Sequence, residues 1–542
     1  MRSRASGTAR RMKQRGRLCE VRSVTASALV FHTSHSTLHT ALSYLRENRM
    51  QQVERGMGIE YLANHDRIAL AQRQWAATSL SDRLAILRRL RKSIASGATW
   101  LAETIPLQLA GALSRTVADS LVSEVLPLIE ACRFLEREAK EILRVRNVSA
   151  EGRPVWLSGV EAEVERAPWG VVLILGAANY PLLLAGVQAL QALVAGNAVL
   201  WKPAPGTEAV AFTLRELLVK CGLNPELLTV LDASVESATE AITAGVDYVV
   251  LTGSAETGKA VLRQLAETLT PAAMELSGCD AVFVLPGADI ERTVSALGFG
   301  LRFNGSFTCM APRRIFLVGM ADEVATDFER QLTAELREIA PVELTPETAQ
   351  LLVELVADAR AQGAKILLDG SGDLVERSAS SATLICDATP ALLSMQTEIF
   401  APILTVMRAV NLDEALAANA ACPYALTASI FGPEDKARQL ASRLRVGNVL
   451  INDIVIPTAD PRIPFGGRGR SGFGVTRAAE GLLAMTTPRT IQTQRKYSRR
   501  AYEPTGDTHV ELFAGLAEML HGSIGRKWTG LMRLWRAGRK LS

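Results

Sequence analysis

The longest uncharged run in the chain is "APWGVVLILGAANYPLLLAGVQALQALVAGNAVLW", Ala167 to Trp201. Its length would permit a membrane helix. Its interior argues otherwise, because Gly176, Asn179 and Pro181 interrupt the first half and Gly196-Asn197 the second. The pattern instead predicts a buried strand over Val171 to Leu175, a loop, a helix over Pro181 to Val194, a turn, and a second strand over Ala198 to Trp201. Continuous apolar strands around a crossover helix point to a parallel sheet covered on both faces.

The same alternation extends in both directions. Upstream, apolar and basic residues recur at helical spacing from Ile68 to Ser96, as in "DRLAILRRLRKSI", and helix continues to about Arg144. The piece "VWLSGVEAEVERAP", Val155 to Pro168, alternates and reads as a hairpin or an extended excursion. From 169 to about 285 the strand candidates are "VVLIL", "AVLWK", "LLTVL", "YVVLTGS" and "AVFVL", a run of βαβ units. A second α/β stretch, 289 to about 470, offers "RIFLV", "KILLD", "TVMRAV", "ASIFG" and "NVLIN". There is no internal repeat and no low-complexity linker.

At 542 residues the chain is too long for one small domain, and about two to four are expected. A hydrophobic fraction of 48% with 21% charged residues is that of a soluble globular protein. The net charge of +4 is too small at this length to indicate a nucleic-acid partner. Seven widely spaced cysteines without a CxxC pair argue for a reducing, cytoplasmic setting and against a disulfide framework or a metal site. Residues 1–60 stand apart: the first 22 carry eight Lys/Arg and one acid, Glu20. This stretch reads as a basic, disordered extension, as sequence upstream of a later start at Met50 or Met57, or as an Arg-rich transit peptide.

Candidate chemistry centres on "FNGSFTCMAPRR", Phe303 to Arg314, where Cys309 sits in a short loop before an apolar strand. Taken alone, Cys309 is either a nucleophile or a small buried hydrophobe. Glu275 in "MELSGCDAVFV" is read at the end of a helix, just before a buried strand, where a charge is costly unless used or paired. Asn179 lies in the loop after the first buried strand, and ligands of open parallel sheets bind beyond the carboxyl ends of strands. "LTGSAETGK", Leu251 to Lys259, is a strand, a small-residue turn and a helix start whose N–H groups suit a phosphate. It is neither GxGxxG nor a Walker loop.

Together and in order, "APWGVVLILGAANYPLLL", "AGNAVLWKPA", "LTGSAETGK", "MELSGCDAVFV", "FNGSFTCMAPRRIFLV", "TEIFAPILTV" and "PFGGRGRSGFG" resemble the aldehyde dehydrogenase family, near its class 3 and fatty-aldehyde branch, over about residues 65–495. The resemblance implies an NAD(P)-dependent oxidation of an aldehyde to a carboxylic acid. Cys309 would be the nucleophile, Asn179 an oxyanion donor with the Cys309 N–H, and Glu275 the base that activates water against a thioester. It implies cofactor roles for Lys202 at the adenosine ribose, Gly253 and Ser254 beside the pyrophosphate, and Glu398 and Phe400 at the nicotinamide end, with NAD or NADP as cofactor and no metal. Gly466, Gly467 and Gly472 match a glycine-rich segment.

The chain departs from the family's usual pattern at several points. Ser306 and Phe307 replace a glycine and a glutamine, Ser277 and Cys279 a glycine and a lysine, and Ala401 a glycine. Pro205 stands where many NAD-preferring relatives have a glutamate. These bear on substrate range, tunnel width and cofactor preference. Two alternatives share the resemblance: an acylating or acyl-phosphate reductase, and a catalytically idle scaffold.

The expected architecture is α/β and aldehyde-dehydrogenase-like: a Rossmann-type dinucleotide-binding domain over 61–277, a catalytic α/β domain over 278–474 and a small bridging β element. That element joins 155–165 to an oligomerisation segment over 475–496 that contains "TTPRTIQTQ", Thr486 to Gln494. Exposed strands want cover, so a homodimer is expected. The tail, 497–542, is basic and amphipathic. Trp528, Leu531, Met532 and Trp535 recur at helical spacing among six Lys/Arg between Ser523 and Ser542. It fits packing on the enzyme itself or a peripheral contact with a membrane.

Overall fold

The computed structural model describes residues 59–108, 115–374, 379–495, 502 and 504–541. The basic extension expected over 1–60 therefore lies almost wholly outside the described residues, as do the first residues of the tail.

Two parallel sheets organise the chain. The first has the order 472–473, Ala272–Leu276, Tyr248–Gly253, Val171–Leu175, Ala198–Lys202, Leu228–Val230. All its pairs are parallel except the short 472–473 strand, which runs antiparallel to 272–276. The uncharged run resolves into strand, helix and strand. Val171–Leu175 is buried throughout, the helix Leu183–Ala195 is buried on every side, and Ala198–Lys202 returns beside the first strand. Gly196, at φ +104, ends that helix in the left-handed cap that glycine adopts without cost. No helix among the described residues is long and apolar enough to cross a membrane.

Chain order gives the topology its functional point. The strands beginning at 171, 198 and 228 run one way from the centre, while those at 248 and 272 lie on the other side. The strand order thus reverses beside Val171–Leu175, and a crevice opens past the carboxyl ends there. Asn179, Lys202 and Gly253 all follow or end these strands.

The second sheet has the order Lys365–Leu368, Thr383–Cys386, Ile403–Ala409, Pro312–Val318, Asp280–Val284, Thr427–Phe431, Asn448–Ile451. It is parallel except at its 365–368 edge. Every strand expected from the apolar pattern is present. The break between the two sheets falls between Leu276 and Asp280.

One expectation fails locally. Glu275 does not end a helix. It lies within the strand Ala272–Leu276, because the preceding helix stops at Thr268, Leu269 turns left-handed at φ 54, and Pro271 cannot continue a helix.

A third sheet of three strands, Arg146–Val148, Val160–Pro168 and Thr486–Gln494, stands apart from the first two. Val160–Pro168 and Thr486–Gln494 pair antiparallel along nine residues, from Val160 opposite Gln494 to Pro168 opposite Thr486. Residues 155–157 form a 3₁₀ turn rather than part of that strand. Thr486–Gln494 is an edge strand, exposed over most of its length.

The chain closes with two helices, Asp507–His521 and Ile524–Leu541. They cross where glycines let them approach: a Cβ on Gly530 would lie 2.6 Å from the Gly515 carbonyl oxygen.

Candidate active site

A cavity of about 350 Å³ opens at the reversal of the first sheet, lined by Asn179, Lys202, Pro205, Gly253, Ser254, Glu275, Ser277, Phe307, Cys309 and Phe400. Of the eight residues singled out from sequence, seven line this one space. Glu398 is the exception, set one layer behind: its Oε1 accepts the Ser277 hydroxyl, and Ser277 lines the cavity.

Cys309 reaches the cavity from a strained loop. Asn304, Gly305 and Ser306 all have positive φ (53, 57 and 66°), so the chain reverses sharply between the Ile290–Arg302 helix and the Pro312–Val318 strand. Arg313, itself buried, holds that reversal by donating to the Ser306 hydroxyl at 2.9 Å, the Ser306 carbonyl at 2.8 Å and the Ala401 carbonyl at 2.7 Å. Two departures from the usual pattern, Ser306 and Ala401, are thereby tied together behind the Cys309 loop. Phe307 turns the other way and packs against Phe400, ring centres 4.8 Å apart, on the cavity wall. Burial pushes the Cys309 thiol far above its ordinary range, the charges of Glu275 and Asp280 add to the shift, and the Arg477 guanidinium opposes it.

Glu275 faces the same space from its strand. Its Oε2 accepts the Thr476 hydroxyl at 2.6 Å. Its Oε1 is buried without a hydrogen-bond partner among the described residues. Burial raises its pKa, while Arg477 and the Thr476 hydroxyl pull it down. The result is a carboxyl poised to exchange a proton, with one oxygen committed and one open.

Asn179 is fixed from three directions. The Arg115 guanidinium donates to its backbone oxygen, the Asn304 amide donates to the same oxygen at 3.2 Å, and its own Oδ1 accepts the Tyr180 N–H at 3.1 Å. With the carbonyl of the side chain engaged, the NH₂ is the group left to offer the cavity. Arg115 is paired with Glu124, whose other oxygen accepts the N–H groups of Leu182 and Leu183 at 2.7 and 3.0 Å. Both side chains are fully buried. Glu124 projects from a π-helical turn, Leu121–Val125, a geometry that recurs at functional sites. The Tyr180 hydroxyl meets the Thr308 hydroxyl at 2.6 Å, linking the Asn179 loop to the residue before Cys309.

The other end of the cavity suits a dinucleotide. Ser254 caps the helix Ala255–Thr268 by accepting the Thr257 N–H at 3.2 Å, which leaves the helix N-terminus facing the space where a pyrophosphate would lie. Lys202 closes its strand at the rim, half-buried, with burial lowering its pKa and Asp232 and Glu208 opposing. Val235, Ala238, Ile242 and Val261 make an apolar slot between two helices that fits a flat base. Gly472 pairs directly with Glu275 at φ +95, and a Cβ there would sit 1.9 Å from the Met274 carbonyl oxygen. Among the described residues no group of three His, Cys, Asp or Glu side chains could hold a metal ion.

Four residues that matter here were not singled out from sequence: Arg115, Glu124, Thr476 and Arg477. Arg477 sits at φ 62, stacks 4.5 Å over Phe465 and donates to the Thr458 carbonyl at 2.7 Å. The only sequence signal for Thr476 and Arg477 is that they follow the glycine-rich segment.

Residues 41–491 match the aldehyde dehydrogenase family, and the chain belongs to it. Among similar proteins, the 4,4'-diapolycopene aldehyde oxidase of Methylomonas sp is 29% identical over 83% of this chain and 84% of its own. The 4,4'-diaponeurosporen-aldehyde dehydrogenase of Staphylococcus aureus is 28% identical over 73% of this chain and 85% of its own. Among solved structures, NADP-dependent glyceraldehyde-3-phosphate dehydrogenase from Bacillus halodurans C-125, complexed with NADP, superposes with a TM-score of 0.72 at 27% identity over 81% of this chain and 92% of that one.

Proposed function

From its membership of the aldehyde dehydrogenase family we propose that this enzyme oxidises an aldehyde on a hydrocarbon chain to the free acid through a thioester on Cys309, with NAD or NADP. The observation that carries the reading is the convergence of Cys309, Glu275 and Asn179 on one cavity whose far end suits a dinucleotide.

Cys309 Sγ, as thiolate, adds to the aldehyde carbon, and the carbonyl oxygen becomes an alkoxide. The Asn179 NH₂ and the Cys309 N–H are the donors for that alkoxide, held in place beforehand by Arg115 and the Tyr180–Thr308 pair. The bound dinucleotide supplies the hydride acceptor. Collapse of the alkoxide leaves an acyl group on Sγ. Glu275 Oε1, the free oxygen, takes a proton from water as that water adds to the thioester carbon; the thiolate then leaves. Thr476 keeps Oε2 occupied so that Oε1 is the working atom. Glu398, through Ser277, and Phe400, against Phe307, shape the nicotinamide end.

The substrate class follows from the relatives. The two relatives above are named for 4,4'-diapolycopene and 4,4'-diaponeurosporen aldehydes. An acylating reductase would not need the base that Glu275 supplies, and an idle scaffold would not need the three groups together. The exposed edge strand Thr486–Gln494 supports a homodimer, and the amphipathic tail a peripheral membrane contact. The reading is tested by steady-state rates on a panel of aldehydes with NAD and NADP in parallel: rates should rise with alkyl chain length and the acid should accumulate. Formation of an acyl-CoA or acyl phosphate in place of the acid would refute it.

A further inference from the structure

The Ile524–Leu541 helix lies beyond the part of the chain that matches the family, and its chemistry is its own. One side is used internally. Gly530 and Ala537 are buried, and Gly530 abuts Gly515 of the preceding helix. Arg526 and Arg533 on that side pair with Glu518, and Arg533 also with Glu511. The side away from the hairpin carries Ile524, Trp528, Leu531, Met532 and Trp535, at i, i+4, i+7, i+8 and i+11. They are 85, 70, 46, 46 and 55% exposed. Five large apolar side chains on one face form a patch that wants an apolar partner.

Charge decides which partner. The helix has six Lys/Arg and no acid. Lys527 and Arg536 are exposed and flank the apolar stripe on its two sides. Arg539 stacks over the Trp535 ring at 4.1 Å. A second copy of this helix would set cations against cations. A bilayer with anionic headgroups accepts all of it: tryptophans at the headgroup–acyl boundary, cations among the phosphates. The helix is too charged to span.

We propose that this face docks on an anionic lipid surface and brings the enzyme to aldehydes dissolved in the bilayer. The proposal rests on the peripheral contact and the hydrocarbon-chain substrate proposed above, and names the partner.

The test uses the full chain with vesicles of phosphatidylcholine alone and of phosphatidylcholine mixed equally with phosphatidylglycerol, at low salt. The enzyme should co-sediment with the mixed vesicles only, its tryptophan emission should shift to the blue, and added salt should release it. Lys527→Glu/Arg536→Glu should weaken partitioning by at least about 30-fold, at roughly fivefold or more per basic residue. Trp528→Ala/Trp535→Ala should lose it as well. Turnover of propanal, a short soluble aldehyde, should match wild type in both variants. That measurement separates a folding defect from a docking defect, and it reports on aldehyde oxidation independently of sedimentation. The proposal is overturned if the wild-type chain stays in the supernatant with mixed vesicles, or binds neutral and mixed vesicles equally. It is also overturned if the tryptophan variant changes only oligomer size while vesicle binding persists.

Discussion

The buried guanidinium of Arg115 donates to the backbone oxygen of Asn179. Through that contact a residue 64 positions upstream holds the loop that carries Asn179, the proposed oxyanion donor. Arg115→Met would leave Glu124 buried without its cation, a change of about 3–5 kcal/mol. Without Arg115 the Glu124 carboxyl, already raised by burial, climbs further. A carboxyl raised in the folded state contributes stability below its unfolded value and loses it as pH rises. The deficit in denaturant unfolding should therefore be larger at pH 8 than at pH 5. On activity, kcat should fall with little change in KM. A loss below about 1 kcal/mol at pH 8 would show that the pair does not hold the loop.

Cys309 should alkylate slowly near neutral pH. Its thiol is raised above the ordinary cysteine range, chiefly by burial. Below its pKa the thiolate fraction grows tenfold per pH unit, so inactivation by iodoacetamide in the absence of cofactor should climb from pH 7 to 9 without a plateau. Arg477 is the cation that favours the thiolate. Arg477→Met should slow inactivation at every pH in that window, and Arg477→Lys should restore part of it. A plateau near pH 8 would mean that the thiol is not raised.

Both cofactors should work. Pro205 and Lys202 both line the cavity; in the proposed cofactor mode Pro205 offers no carboxylate against a 2′-phosphate, and the Lys202 ammonium would attract one. Discrimination for NAD over NADP should stay below about 1,000-fold, roughly 4 kcal/mol. Pro205→Glu should raise KM for NADP more than for NAD. Equal effects on the two would remove Pro205 from the 2′-site.

Gly472→Ala should be costly out of proportion to its one methyl group. The residue is at φ +95 and its Cβ would meet the Met274 carbonyl oxygen at 1.9 Å, on the strand that presents Glu275. We expect a loss of about 2–4 kcal/mol in unfolding free energy together with reduced kcat. A variant as stable as wild type would show that the loop can move away from the strand.

Much of this was legible beforehand for a physical reason. Strands buried on both faces are continuous apolar runs, so "VVLIL" and "RIFLV" could not be mistaken, and the glycines and prolines between them marked the turns. Asn179, Glu275 and Cys309, which line one cavity, sit in short segments at or beside strand ends, where local sequence shows them. Arg115 and Glu124 escaped notice because they act across the fold on the backbone around Asn179, and spacing along the chain carries no trace of that. Thr476 reaches Glu275 across 201 positions for the same reason. The sequence reading places Glu275 at a helix end because the strand Ala272–Leu276 is only five residues long and carries no β-branched residue, although Pro271 marks the break after the helix Ala255–Thr268.

The most direct measurement is a stopped-flow trace of reduced cofactor formed by Glu275→Gln enzyme mixed with a medium-chain aldehyde and saturating NAD. Glutamine keeps the shape but cannot take the proton from water, so Cys309 should still be acylated once. The account predicts a burst equal to the concentration of active sites followed by near-complete arrest, with the acyl group recoverable on Cys309 by mass spectrometry. Turnover at the wild-type rate, or no burst at all, would contradict the division of labour between Cys309 and Glu275.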